Sequence, residues 1–176
     1  MKLKHVLLAS TFATAIFLTA CDKEDDTADV TAQDETFSVK ASQSNRAEIE
    51  LSTMAITKAT NNGVRTFAQQ MITDHTAAQA DLVNTVNGLD TDINLSDSLD
   101  AEQMAMRTML QSLSGPAFDS AYIDGQVKSH TKTLGIFDTE ISAGQNAQVK
   151  GYASDKRPNI AMHLEMADSL YTIVAQ

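Results

Sequence analysis

Along most of the chain, apolar residues return every three or four positions, the period of one helix face. Phe37, Ala41, Ser44, Glu48, Leu51 and Ala55 form the first stripe and predict a helix over residues 37–58. "TNNG" interrupts it, and Asn61 or Asn62 can cap the next helix. That second helix is expected over 63–87, with Val64, Phe67, Met71, His75, Ala78, Leu82 and Val86 in one row. "NGLDTDINLSDSLD" is turn-rich, and its acidic and hydroxyl residues offer caps between Asp97 and Asp100. A short helix over 101–113 comes next, with Met106, Met109, Leu110 and Leu113 inward. Pro116 is tolerated only in a first turn, so a fourth helix starts there and runs to 143 on Phe118, Tyr122, Val127, His130, Leu134, Phe137 and Ile141. After "AGQN", Val149, Tyr152, Ile160, His163, Ala167, Leu170 and Val174 define a helix over 147–174, which Pro158 should kink or divide.

Two segments repeat. "NNGVRTFAQQM" from Asn61 and "NAQVKGYASDK" from Asn146 share Asn, Val, a basic residue, an aromatic and Ala in register. Each half of the chain then reads as two long helices joined by a tight turn. The expected fold is all-α, an antiparallel four-helix bundle with a short additional helix in the central connector.

The beginning of the chain obeys another logic. Lys2 and Lys4 precede an apolar run from Val6 to Leu18, which is short for a membrane span. "LTAC" closes it. This is the shape of an export signal, and the cysteine directly after "LTA" resembles the bacterial lipobox, in which that residue becomes the lipidated first residue. Residues 1–20 are expected to be the signal and Cys21 the lipidation site. Residues 21–36 are acidic and lack an apolar period until Phe37, so they read as a flexible tether. Residues 37–176 form the domain. The expected location is the cell envelope, facing the periplasm and held to a membrane by lipid. Asp22 resembles an inner-membrane retention signal in enteric bacteria but not generally, which leaves inner and outer membrane both open.

Composition narrows the chemistry. Cys21 is the only cysteine, so disulfides within the chain and cysteine-based zinc sites are excluded. Loss of Lys2 and Lys4 leaves 11 basic against 23 acidic residues, a net charge of −12. That balance argues against nucleic acid and anionic lipid as partners. No Gly-x-Ser-x-Gly, phosphate loop or His-Glu-x-x-His occurs.

What remains is an imidazole row. His75, His130 and His163 each replace an apolar residue on a helix stripe, and Glu48 does the same on the first helix. At a rise of about 1.5 Å per residue, Glu48 and His75 both lie roughly 20 Å from their shared turn, and His130 and His163 roughly 22 and 27 Å from theirs. All four are expected near mid-bundle. A Glu with three His is a plausible ligand set for iron, manganese, zinc or copper. The same four can instead form a buried polar network that binds nothing. Glu-x-x-His is absent, since Ile72, Val127 and Ile160 stand three before the histidines, so a ferroxidase-type di-iron centre is not expected. Met71 and Met166 share helix faces with His75 and His163, and "MAMRTM" adds Met104, Met106 and Met109. Thioethers with imidazoles suit Cu(I), although Met also fills helical cores.

"AEIELSTMAITKA", "VRTFAQQMITDHT", "LSGPAFDSAYIDGQVKSHTKTLGIFD" and "HLEMADSL" together resemble the exported bacterial family called domain of unknown function 4142. The resemblance implies a ferritin-like helical bundle in the cell envelope and no particular reaction. "VKSH" departs from it, carrying Ser129 where similar sequences tend to have an Asp that could orient His130. The functional expectation is an envelope lipoprotein of unknown activity that holds a metal ion through Glu48, His75, His130 and His163. The alternative is a non-catalytic protein that binds an envelope partner or serves in stress, with the cluster only structural.

Overall fold

The computed structural model describes residues 28–96 and 98–175. The expected signal, Cys21 and most of the tether lie outside those residues, as does Asp97. Five helices make up the described chain, with no strand among them: α1 (Ala32–Lys58), α2 (Asn62–Asn87), α3 (Ala101–Ser112), α4 (Gly115–Ala143) and α5 (Ala147–Val174). None is long and apolar enough to cross a membrane.

The repeat seen in the sequence is a repeat of caps. Asn61 Oδ1 accepts from the N–H groups of Gly63 and Val64, and Asn146 Oδ1 accepts from those of Gln148 and Val149. Both turns are held a second time by an aspartate from the other half. Asp119 on α4 accepts from the N–H groups of Thr60 and Asn61. Asp34 on α1 accepts from those of Gln145 and Asn146. The α1–α2 turn is thereby fixed to the start of α4, and the α4–α5 turn to the start of α1. α1 packs on α2, α4 on α5, α1 along α4 and α2 along α5, with α3 laid against α4.

The first helix begins at Ala32, five residues before the expected Phe37, and takes the end of the expected tether into the fold. Thr31 and Asp34 form a capping box there, and Asp34 is fully buried, so this acidic residue of the expected tether is a structural partner and not solvated charge. Pro158 does not divide α5. The carbonyl it leaves unbonded belongs to Ser154, and both residues are exposed, so water can satisfy it. Met109 on α3 is exposed, and of the four residues expected inward there only Leu110 is fully buried.

α4 differs most from its hydrophobic pattern. Val127, Leu134 and Ile141 are only partly buried, while Asp119, Gln126, Thr133 and Glu140, a polar row repeating every seven residues, are buried. α1 answers with Asp34, Ser38, Ser42, Asn45, Glu48 and Ser52, all buried. The core is accordingly split. One apolar cluster gathers Leu51, Phe67, Met71, Phe118, Tyr122 and Ala167, and a second gathers Phe37, Leu82, Phe137, Val149, Tyr152 and Ile160. Between them runs a polar layer containing the three histidines.

Candidate metal centre

His75 comes from α2, His130 from α4 and His163 from α5, and all three are buried. Their ring centroids are 5.8 Å (His75–His130), 5.4 Å (His75–His163) and 5.5 Å (His130–His163) apart, a nearly equilateral triangle. Each ring offers a nitrogen within 4.8 Å of those offered by the other two.

The protonation of each ring is set by its neighbours. Asn45 donates its amide N–H to Gln79 Oε1 and to Tyr152 Oη, both at 3.3 Å, which turns Asn45 Oδ1 to His75 Nδ1 at 2.9 Å. His75 Nδ1 must then carry the proton. His130 Nδ1 lies 2.9 Å from the Gln126 carbonyl and must donate as well. His163 Nε2 donates to Asp74 Oδ2 at 2.8 Å. The other nitrogen of each ring, Nε2 of His75, Nε2 of His130 and Nδ1 of His163, is buried without a hydrogen-bond partner. On a neutral imidazole that nitrogen bears the lone pair an ion would use. A buried polar atom left unpaired costs about 1–3 kcal/mol, and each of the three adjoining rings has one.

Electrostatics hold two of the rings neutral. Burial pushes His75 down to about 4, with Glu48 offsetting it only in part. Burial also lowers His163, against the pull of Asp74. Both are neutral at pH 7. Asp74 is itself held low despite its partial burial, because Gln70 and His163 donate to it.

Glu48 lies at the depth its position suggested, beside the histidines, but behind their rings. Its Oε1 accepts from Ser129 Oγ at 2.7 Å and lies 3.9 Å from His130 Nδ1, the protonated side of that ring. Among the described residues the group of mutually close ligand atoms is the three histidines, without Glu48. Burial would raise its carboxyl, but His130, His75, Ser129 and Gln126 outweigh burial and hold it low. Glu48 is thus an anion behind the imidazoles, with Oε2 buried and unpartnered. Ser129 orients Glu48, while a backbone carbonyl orients His130.

The sequence pattern did not single out Asp74 or Asn45. Asp74 directly precedes His75 in "TDHT" but projects from the next row of α2 toward α5. Met71 and Met166 pack with the first apolar cluster, as core side chains do. Three imidazoles with bare nitrogens, each donating its other N–H to a carbonyl or carboxylate, have the arrangement that metal-binding histidines show. Neutral nitrogen donors suit zinc, copper, iron and nickel.

The family model for the domain of unknown function DUF4142 matches residues 19–170. The chain belongs to the DUF4142 family. No functionally curated protein matches it. Two solved structures resemble this DUF4142 protein. A DUF305 fragment from Deinococcus radiodurans superposes with a TM-score of 0.71 at 10% identity, over 82% of this chain and 99% of that one. CopM in the Cu(II)-bound form superposes with a TM-score of 0.65 at 14% identity, over 79% of this chain and 95% of that one. At these identities the likeness is one of helical fold.

Proposed function

We propose that this DUF4142 protein is a cell-envelope lipoprotein whose four long helices form an antiparallel, ferritin-like bundle that holds one transition-metal ion on His75, His130 and His163. A single observation carries the reading: three buried ring nitrogens lack any partner, and their rings meet at one level. The bound form of CopM, a protein of similar fold, agrees with it. Among divalent ions, Cu(II) is favoured at nitrogen sites by the Irving–Williams order. Glu48 and Asp74 supply negative charge close to the cation. The site suits holding an ion better than converting a substrate, because the cavity that reaches the rings is only about 90 Å³.

Metal analysis tests this. The purified protein, loaded with excess Cu(II) or Zn(II) and desalted, is expected to retain one equivalent. Retention of none would leave the histidine layer as a structural polar network.

The anchor is a separate proposal. "LTAC" after a short apolar run supports lipidation at Cys21, and with it a periplasm-facing location. Cys21→Ser is expected to move the protein from the membrane fraction to the soluble fraction. Unchanged membrane association would refute the lipid anchor.

A further inference from the structure

Two cavities flank the histidine layer, and they differ in what they reach. The larger, about 490 Å³, lies between α1, α3 and α4, and Gln126 and Ser129 are in its wall. No histidine lines it. The smaller, about 90 Å³, lies between α2 and α5, and both His75 and His163 line it, with Asp74, Ala77, Ala78 and Asn159. The apolar clusters close the layer above and below. Of these two cavities, the α2–α5 cleft is the one that reaches the imidazoles.

We infer that the metal ion reaches the three histidines through the α2–α5 cleft, and that Asp74 receives it there and passes it across His163. The inference rests on the metal-binding reading above. Asp74 is partly exposed, with 22% of its side-chain surface accessible, whereas His163 behind it is 2% accessible. The hydrogen bonds from Gln70 and His163 both land on Asp74 Oδ2. That leaves Oδ1 as a carboxylate oxygen for an arriving cation. The one cation in the cleft wall, Lys156, is held 2.5 Å from Asp81 and so does not neutralise Asp74. His163 spans the gap: one ring edge bonds Asp74, and the other bears the unpartnered nitrogen. Ala77 and Ala78 keep the α2 wall low, and Asn159 lines the α5 wall.

The rate of loading tests the route, and the amount bound tests the reading beneath it. Cu(II) is mixed with the metal-free full chain and followed by its ligand-field absorbance. Ala77→Phe and Asn159→Phe each place a ring at an exposed position of the cleft, so folding is preserved. Each is expected to slow loading at least tenfold while changing affinity less than about twofold. Ser44→Phe, which narrows the larger cavity, is expected to load at the wild-type rate. Asp74→Asn keeps the size of the side chain and removes its charge. Its loading is expected to fall about tenfold at low ionic strength, with the deficit shrinking in high salt, because charge steering is screened. A purely structural Asp74 would give no salt dependence. Wild-type rates in both cleft variants, or slowing by Ser44→Phe, would overturn the route while one equivalent still bound. A wild-type chain that takes up no Cu(II) would overturn both route and site.

Discussion

His75→Leu is expected to abolish stoichiometric metal binding while the helical circular dichroism signal stays unchanged. Three ring nitrogens are the donor set, and leucine removes one without replacing it. Zinc bound by four protein ligands is worth about 10–16 kcal/mol, so loss of one nitrogen of three weakens binding on the order of a hundredfold or more. Stability is governed by a different balance. The substitution removes a buried nitrogen with no partner, which favours the variant. It also removes the donor to Asn45 Oδ1, a buried oxygen that then stands alone. Each effect is worth about 1–3 kcal/mol, so the metal-free variant is expected to be close to wild type in urea. Binding titration and urea melts of the two proteins check both statements. Full retention of one equivalent by the variant would show that His75 is not a ligand.

Metal-free wild type is expected to lose about 3 kcal/mol between pH 6.5 and 4 through His75 alone. The folded protein holds this ring near 4, against 6.5 for a free side chain. In that window the unfolded chain takes up a proton that the folded chain refuses. Stability is complete above 6.5 and falls as the pH drops toward 4, at about 1.4 kcal/mol per unit. His163, Glu48 and Asp74, all held low, act in the same direction. Asp34, which burial would raise but which Thr31, Glu140 and Asn146 bring down to about 2, adds its loss at still lower pH. Glu140 opposes them. Burial and the neighbouring Asp34 raise it to about 7, so its contribution is complete below 4.5 and is lost as the pH rises through 7. Urea melts at pH 4, 5.5, 7 and 8 separate the two. Wild type should fall relative to His75→Leu as the pH drops from 6.5 to 4, and relative to Glu140→Gln as the pH rises from 4.5 to 7. A stability difference from His75→Leu that stays constant across the acid range would contradict a neutral, buried His75.

Local order was legible in the residues. Asn61 and Asn146 cap because an amide oxygen two residues before an N–H can reach it whatever the rest of the chain does. The five helices and their breaks came from such short-range chemistry, and α5 begins and ends where the pattern placed it, Ala147–Val174. The depth of the histidines was legible too, since helical rise converts residue number to distance. Only the tertiary structure decided which polar residues are buried, because burial of a polar group depends on a partner that is far away in sequence. Gln126 and Glu140 displaced Val127 and Ile141 from the core since α1 offers Glu48 and Asp34 to meet them. The same reason separated Glu48 from the ligand group and added Asp74 to its surroundings. Periodicity measures how apolar a helix face is, and so it identified three imidazoles at one level. Which nitrogen each would leave bare was set by Asn45, Asp74 and the Gln126 carbonyl, and their positions around the rings come from the packing of the helices against one another.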